Sequence, residues 1–217
     1  MTLQEIGRSL GDRPIWAVDV NNPATGPANE KPGFYVDGHI HGGEVLAGEG
    51  ALAFLERLLS RYGRVPELTE LVDTRAFYVV PIVNPDGRAI SVDTPENHRW
   101  NIRPVDEDGD GRVDEDPPED LDGDNRILQM RIPDPEGPWS IHPADPRRMV
   151  RVRGEAAGAT RYRLVGEGID NDGDGRINED RVGGFDLNRN FPANWSPTQS
   201  ASGPFPLSEP ETHALVA

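Results

Sequence analysis

The stretch that decides the fold runs from residue 37 to residue 50, DGHIHGGEVLAGEG, and places two histidines and two glutamates around a pair of glycines. The segment that leads into the glycines, GFYVDGHI, is rich in aromatic and β-branched side chains and predicts a strand. The apolar residues that follow recur on one broad face of a helix. We expect this helix to run from Val45 to about Tyr62 and to stop at Gly63.

His41 and Glu44 are placed by this pattern at the end of the strand and in the first turn of the helix, where both side chains can reach one ion. Neutral imidazole and carboxylate both bind zinc, and a catalytic zinc has three protein ligands and a water. The alternative is that His39 and His41 are ordinary strand-end residues and that Glu44 interacts with the helix dipole. Taken alone, the short HxxE motif does not decide between these interpretations.

Three further segments predict the strands around this motif. LQEIGRSL (3–10) and PIWAVDV (14–20) are separated by a tight turn and predict a hairpin. AFYVVPIV (76–83) is a continuous apolar run, typical of a strand buried on both faces of a sheet. NPDG (84–87) is expected to end that strand in a turn. Strand, helix and strand in this order indicate an α/β sheet, in which ligands bind at the ends of strands.

The chain is irregular from about Asp93 to Asp180, where it is acidic, rich in proline and glycine, and weakly periodic. A region of that length without regular structure is either functional or an insertion. The final segment, SEPETHALVA (208–217), predicts the first turns of a helix, with Ser208 as its cap and Glu211 three residues later.

The composition excludes several classes of protein. At 217 residues the chain is long enough for one substantial domain. No apolar run approaches the roughly 20 residues of a membrane-spanning helix, and the lack of cysteine excludes disulfides and thiolate metal sites. The net charge of −16 is concentrated, because residues 106–124 carry −10 and residues 170–180 carry −4. The remainder is nearly neutral and offers no basic surface for nucleic acid.

A second polar segment, FDLNRNF (185–191), completes a series of motifs. In the order HGGE, NPDG, DLNRNF and SEPET, the motifs resemble those of the zinc carboxypeptidase family, the carboxypeptidase A-like metallopeptidases. The resemblance runs from about Ile6 to Ala217 and is interrupted by the two acidic segments. It implies an α/β fold with a mixed β-sheet flanked by helices. It also implies a secreted or periplasmic protein, although the first residues, MTLQEIGRSL, lack a signal pattern.

The resemblance also implies roles for single residues. His41 and Glu44 correspond to the first two zinc ligands, and Asp186 to the carboxylate that orients the first histidine. Asn188 and Arg189 correspond to the pair that binds the free C-terminal carboxylate of a peptide substrate. An arginine suits that task because its guanidinium matches a carboxylate with two hydrogen bonds.

Arg99 corresponds to the catalytic arginine that polarises the scissile carbonyl, with Arg103 nearby as a second candidate and an ordinary surface arginine as the alternative. The family's third zinc ligand, tyrosine and general-base glutamate have no counterpart among residues 1–217, and His98, His142 and His213 match none of them. We therefore expect the missing half of the site to lie beyond residue 217. We also expect the chain as given to be inactive and its sheet to be incomplete at the C-terminus.

The two acidic segments contain a repeated pattern, VDEDGDGRVDED (105–116) and IDNDGDGRINED (169–180). The acids at positions 1, 3 and 5, the glycine at 6 and the Asp or Asn at 9 resemble a calcium loop, although Pro117 and Arg181 replace the glutamate at position 12. The alternative is a pair of solvated loops. The candidate calcium ligands are Asp106, Asp108, Asp110, Asp114, Asp170, Asp172, Asp174 and Asn178.

These observations predict a truncated zinc carboxypeptidase-like catalytic domain over residues 1–217, with acidic insertions around 104–126 and 168–181. The predicted function is a zinc-dependent metallocarboxypeptidase that releases C-terminal residues from peptides or proteins. Its cofactor would be Zn²⁺, with Ca²⁺ as a possible second ion. One alternative is a related zinc deacylase of acylated amino acids. Another is an inactive, calcium-stabilised module that binds carboxylates.

Overall fold

The computed structural model describes residues 1–152 and 160–217. These residues form two compact units. The first consists of residues 1–105 and 182–217, and the second of residues 106–181. No helix in the described ranges is long and apolar enough to span a membrane.

The first unit is built on a mixed sheet of four strands in the order β1-β2-β4-β3. The strands are β1 (Thr2–Arg8), β2 (Pro14–Val20), β3 (Gly33–Asp37) and β4 (Ala76–Val80). β2 pairs antiparallel with both β1 and β4, whereas β3 pairs parallel with β4. The predicted hairpin, the strand before the glycines, the buried strand and the mixed α/β sheet are therefore confirmed.

Successive residues of a strand point to opposite faces of a sheet, so helices can pack against both faces. The helices are α1 (Val45–Arg61), α2 (Pro66–Thr74), α3 (Pro85–Asp93) and α4 (Pro210–Ala214). Phe77 and Val79 of β4 join a core cluster with residues of α1 and α2. Val80 of the same strand belongs to a second cluster that includes Ala214 of α4. The predicted helix after the glycines is confirmed, and Gly63 lies just beyond it with a φ of +72°.

Two local predictions were wrong. NPDG is the start of α3 rather than a simple turn, because the side chain of Asn84 accepts a hydrogen bond from the amide of Gly87 and Pro85 occupies the first helical position. Ser208 does not cap α4. The cap position is held by Glu209 without a side-chain bond, and the Ser208 hydroxyl donates to Oε1 of Glu209 over 2.9 Å.

The second unit contains an antiparallel sheet where the sequence predicted irregular structure. Its strands are β5 (Gln129–Pro133), β6 (Trp139–His142), β7 (Asp145–Arg151) and β8 (Tyr162–Gly166), in the order β5-β8-β6-β7. Exposed and partly buried residues alternate along β5. Met130 and Ile132 alternate with polar residues, but a strand of five residues gives only a weak signal in the sequence. The acidic loops precede and follow this sheet in the chain.

Candidate active site and acidic loops

The loop from β3 to α1 holds the histidines of the HGGE segment in a crowded space. His39 is buried, with a φ of +50°, and burial lowers its pKa, so its ring stays neutral. Gly42 lies so close to the start of α3 that a Cβ there would be 2.7 Å from Cα of Gly87. Only glycine can occupy position 42 at this distance from α3. The tight loop places the side chains of His41 and Glu44 next to each other.

His41 lies between two carboxylates. Its Nδ1 is 2.8 Å from Oε1 of Glu44, and its Nε2 is 3.0 Å from Oδ1 of Asp186. An ionised carboxylate only accepts hydrogen bonds. The two ring nitrogens of a neutral imidazole cannot both donate, so one of these contacts brings two acceptors together and needs a proton or a cation between them. His41 and Asp186 are buried, whereas more than half of the Glu44 side chain is exposed. Among these three side chains, Glu44 is therefore the one that solvent reaches.

Asp186 is fixed from several directions. Its Oδ1 also accepts the amide of Asn188 over 2.9 Å, which caps the short 3₁₀ helix Leu187–Arg189. Its Oδ2 accepts hydrogen bonds from Nε and Nη2 of Arg99, both over 3.0 Å. Because both carboxylate oxygens are occupied, Asp186 is held where it can fix the orientation of the His41 ring.

The structure separates the two candidate arginines. Arg99 contacts Asp186, and its Nη1 lies 4.0 Å from Oε1 of Glu44, so it belongs to the His41 cluster. Arg103 instead donates from Nε to Oε2 of the buried Glu209 over 2.8 Å. Of these two arginines, Arg99 therefore has the position from which an arginine could act beside His41.

The DLNRNF segment lies next to this cluster because Asp186 belongs to both. Asn188 is exposed, and Nη1 of Arg189 donates to the Asn188 carbonyl oxygen over 3.2 Å. Within the described ranges, no carboxylate lies within 4.0 Å of the Arg189 guanidinium. The arginine therefore keeps hydrogen-bond donors for an external anion.

Asn190 is a residue of this segment to which the sequence analysis gave no role. Its buried side chain donates to the carbonyl of Ser202 over 2.9 Å and accepts from the Thr212 hydroxyl over 2.6 Å. It thus ties the segment to α4. The sequence signal was weak, because a single asparagine beside an arginine is common in surface loops.

The side chains of the remaining histidines have other surroundings, although the carbonyl of His98 accepts the amide of Gly43 over 2.7 Å. His98 is buried with Nδ1 2.6 Å from Oε1 of Glu96, His142 is in β6, and His213 is exposed in α4. Among residues 1–152 and 160–217, no group of three possible metal-ligand atoms within 4.8 Å of one another includes His41 or Glu44. The described residues therefore supply two neighbouring donors of the kind that zinc prefers.

Comparison with known proteins now decides the family. The family model described as zinc carboxypeptidase, peptidase family M14, matches residues 1–120. The chain belongs to the zinc carboxypeptidase family. This result confirms the resemblance to that family, and the matched residues include the HGGE and NPDG motifs.

Individual relatives agree with the family match. Carboxypeptidase D of Anas platyrhynchos is 35% identical over 86 residues, which are 39% of this chain and 6% of that protein. Carboxypeptidase A2 of Rattus norvegicus is 32% identical over 112 residues, which are 52% of this chain and 25% of that protein. The chain thus matches a quarter or less of the length of these relatives.

Solved structures support the fold. The crystal structure of thrombin activatable fibrinolysis inhibitor aligns with 99% of this chain and 37% of its own, with a TM-score of 0.54 and 18% identity. Carboxypeptidase A from Helicoverpa armigera aligns with 99% of this chain and 36% of its own, with a TM-score of 0.55 and 17% identity. The chain therefore has the α/β fold of zinc carboxypeptidases.

The second unit of this family member contains the acidic loops. In the loop from Asp106, the two carboxylate oxygens of that residue accept the amides of Gly109 and Gly111 over 2.6 and 3.0 Å. In the loop from Asp170, the amides of Gly173 and Gly175 make the same bonds over the same distances. One oxygen each from Asp106, Asp108 and Asp110 lie within 4.8 Å of one another, and so do oxygens of Asp170, Asp172 and Asp174.

The structure does not bring Asp114 and Asn178 into either group of three. Both residues have a positive φ, 57° for Asp114 and 61° for Asn178. Asn178 donates to the carbonyl of Gly166 over 2.9 Å. Position 9 of each loop therefore has the same left-handed backbone conformation.

A third loop with the same hydrogen bonds begins at Asp120, which the sequence analysis did not assign. The oxygens of Asp120 accept the amides of Gly123 and Asn125, each over 2.8 Å. Oxygens of Asp120, Asp122 and Glu167 lie within 4.8 Å of one another. The DLDGDN sequence contained the signal, but it lacks the second glycine that the other two loops share.

The carboxylates that follow the twin loops cross over to the opposite loop. Oδ1 of Asp180 accepts the amides of Glu107 and Asp108 over 2.7 and 3.1 Å. In return, Oδ1 of Asp116 accepts the amide of Asn171 over 3.1 Å. Both aspartates are fully buried. The sequence analysis also left out these residues, although an acid occurs at position 11 of both loops.

Burial raises the pKa of several carboxyl groups in this unit. It is the main cause that raises the pKa of Glu115 and of Asp180, and nearby acids add to it. It also raises the pKa of Glu179 to about 7. In these carboxyl groups the charged form is therefore disfavoured, because the protein surroundings do not fully replace the water lost on burial.

Proposed function

We propose that this chain contributes zinc-binding and substrate-binding residues to a metallocarboxypeptidase that releases C-terminal residues from peptides or proteins. The observation that carries the proposal is the position of His41 between Glu44 and Asp186, within the family's HxxE motif. Because the chain matches a quarter or less of its relatives' length, the activity of the whole protein is a proposal.

The donor set fits zinc. If Nε2 of His41 carries the proton and donates to Asp186, the lone pair of Nδ1 faces Glu44 at 2.8 Å. Two acceptors at that distance suit a shared cation, and imidazole nitrogen and carboxylate oxygen are both common zinc ligands. We propose His41 and Glu44 as the ligands and Asp186 as the residue that positions the ring.

When bound, zinc supplies the chemistry of a Lewis acid, which polarises a carbonyl group. Arg99 lies on the same side, where a guanidinium can stabilise negative charge that develops on that carbonyl oxygen. Its Nε and Nη2 are bound to Asp186, while Nη1 extends to within 4.0 Å of Glu44. We propose Arg99 for this role in preference to Arg103, which is bound to Glu209.

Asn188 and Arg189 are proposed to bind the free carboxylate at the end of the substrate. The exposure of Asn188 and the lack of a carboxylate partner for Arg189 within the described ranges support this role. A fork of guanidinium donors would recognise the chain end and distinguish it from an internal peptide.

Zinc binding by the 217-residue chain tests the ligand assignment. We expect calorimetry to detect weak binding, because two protein donors hold zinc less tightly than three. His41→Ala should abolish it, whereas His213→Ala, at an exposed position in α4, should leave it unchanged. Equal binding by both variants would contradict the assignment of His41.

The native gene product tests the substrate class. Peptides with free C-termini should be hydrolysed, whereas amidated peptides and acylated amino acids should be poor substrates. Preferential hydrolysis of acylated amino acids would instead support the deacylase. A secreted or periplasmic location is proposed on the family resemblance alone.

We also propose that the twin acidic loops bind calcium. The repeated arrangement of Asp106, Asp108 and Asp110 and of Asp170, Asp172 and Asp174 supports this proposal, since calcium prefers several oxygen ligands along a tight turn. Calcium should then raise the melting temperature by mass action. Changing Asp108 and Asp172 to Ala should remove that increase, and a titration without any thermal shift or heat would contradict the proposal.

A further inference from the structure

One buried carboxylate oxygen of the second unit lacks a hydrogen-bond partner. Asp180 is fully buried, and its Oδ1 accepts two backbone amides. Its Oδ2 is also buried, yet it accepts no hydrogen bond from any residue in the described ranges. An isolated carboxylate oxygen in such a place is unfavourable unless a cation or donor compensates it.

Asp180 belongs to a group of acids drawn from both loops. One oxygen each from Asp108, Glu115 and Asp180 lie within 4.8 Å of one another. Oε2 of Glu115 is likewise buried without a hydrogen-bond partner among the described residues. A second group within 4.8 Å consists of Asp110, Glu115 and Asp172. Glu115 therefore belongs to both groups, and each group combines residues that flank or form different loops.

The nearest basic side chains do not compensate this charge fully. Arg176 Nη1 is 3.7 Å from Oδ2 of Asp108, and Arg112 Nε is 3.8 Å from Oδ2 of Asp110. A charge-assisted hydrogen bond between nitrogen and oxygen is shorter, about 2.7–2.9 Å. Arg181 is bound to Glu107 through two contacts of 2.8 and 3.1 Å. The position between the carboxylates thus remains available to a cation.

We infer that the two acidic loops share a calcium site, in which Glu115 joins the ligands of one loop to those of the other. The ligands are Asp108, Asp110, Glu115, Asp172 and Asp180. This differs from two independent loops, each of which would hold its own ion through the acids at its positions 1, 3 and 5. The inference deepens the calcium proposal made above and rests on it.

Calcium fits this site better than other common ions. All five ligands offer only oxygen, which calcium and magnesium prefer and which zinc and copper prefer less. Calcium accepts six to eight oxygens in irregular geometry, whereas magnesium requires near-octahedral geometry and keeps several waters. A crowded group of carboxylates from separate segments therefore favours calcium. Bound there, the ion would tie the two loops together within the second unit.

Calorimetric calcium titration of the metal-free 217-residue chain tests the inference. Glu115→Gln and Asp180→Asn should each weaken binding by about tenfold or more, since even supporting residues of metal sites contribute that much. Asp180→Asn keeps an oxygen for the two backbone amides, and circular dichroism would confirm that the variant folds. Glu136→Gln is the matched control, because it removes one negative charge at an exposed position of the same unit and should bind as the parent does.

A double substitution distinguishes a shared site from separate ones. Asp108→Asn and Asp172→Asn lie in different loops, so their losses should be non-additive if both residues hold the same ion. Additive losses, or parental affinity in Glu115→Gln and Asp180→Asn, would overturn the shared site while leaving the calcium proposal intact. No calcium binding by the parent would overturn both, and equally tight magnesium binding would overturn the assignment to calcium.

Discussion

Asp186 in the first unit and Asp180 in the second are both buried aspartates, yet their hydrogen bonds differ. Asp186 has partners on both oxygens, from His41, Arg99 and the amide of Asn188. Asp180 has two amides on one oxygen and no partner on the other within the described ranges. The first carboxylate is therefore complete before any ligand binds, whereas the second is not.

If both positions bind metal, as proposed, the difference represents two ways to prepare a metal site. Around His41, protein groups bind both oxygens of Asp186, and only the proposed ligand atoms of His41 and Glu44 face each other without a donor between them. Such an arrangement can position a catalytic ion. Around Asp180, the ligand atoms repel one another. Two backbone amides bind Oδ1 of Asp180, and Arg176 and Arg112 lie 3.7 and 3.8 Å from Asp108 and Asp110. Binding of an ion there would contribute directly to the stability of the fold. The predictions below either sharpen or break this contrast.

The largest effect is expected at Arg189, whose guanidinium contacts no carboxylate in the described ranges. In the native gene product, Arg189→Ala should lower kcat/KM for peptides with free C-termini by roughly 10²–10³-fold, since truncating one member of a desolvated charge pair costs about 2–5 kcal/mol. The kinetics of free and amidated peptides, compared in parent and variant, measure this. Equal cleavage of both peptides by the parent would contradict the carboxylate-binding role.

The contrast is tested most sharply by the same substitution, Asp to Asn, at Asp186 and at Asp180. Asp186→Asn should destabilise the chain by about 1.5–3 kcal/mol, because it breaks charge-assisted hydrogen bonds with Arg99. Asp180→Asn should instead raise the melting temperature in calcium-free buffer, because it removes a charge that repels its neighbours. Thermal melts of both variants in chelator test this. A decrease in both would show that the two carboxylates are equally well compensated.

Glu211 provides an intermediate case within the first unit. It is buried, its Oε1 accepts the amide of Leu10 over 3.1 Å, and its Oε2 has no hydrogen-bond partner among the described residues. Burial raises its pKa, and the charges of Glu209 and Asp86 contribute. A raised pKa in the folded state means that stability falls as the pH rises above the unfolded value, near 4.5.

Glu211→Gln should therefore be more stable than the parent at pH 8, and the difference should shrink as the pH approaches 4.5. Melting temperatures of parent and variant across that range measure the effect. Glu136→Gln is the exposed control and should follow the parent at every pH. A constant difference between Glu211→Gln and the parent would show that packing, not charge, distinguishes them.

The parts of the fold that could be predicted are those whose apolar residues follow a regular pattern. The hairpin of β1 and β2, the buried strand β4 and helix α1 follow the alternating, continuous and helical patterns of their apolar residues. Helix α3 was missed because Asn-Pro-Asp-Gly suits both a turn and a capped helix start, and only the bond from Gly87 to Asn84 distinguishes them. The strands β5–β8 were missed because each is only four to seven residues long, and in β7 two adjacent arginines interrupt the alternation.

The candidate site was predictable only in part for a related reason. HxxE places His41 and Glu44 in neighbouring turns, so local sequence predicts that they meet. Asp186 is 145 residues from His41. Its position came from the family resemblance, because no local pattern encodes such a contact. Glu115 and Asp180 were not among the candidates because the calcium-loop pattern describes ligands within one loop, whereas these residues lie close to acids or amides of the other loop.

The most direct test of the central claim is the protonation state of the His41 ring in the 217-residue chain, measured by nitrogen-15 NMR before and after zinc addition. The claim that His41 and Glu44 are zinc ligands oriented by Asp186 predicts that, with zinc bound, the ring keeps a proton on Nε2 and has none on Nδ1. Zinc should then shift the Nδ1 resonance while the Nε2 proton stays in place. A proton on Nδ1, donated to Glu44 and unaffected by zinc, would contradict the claim.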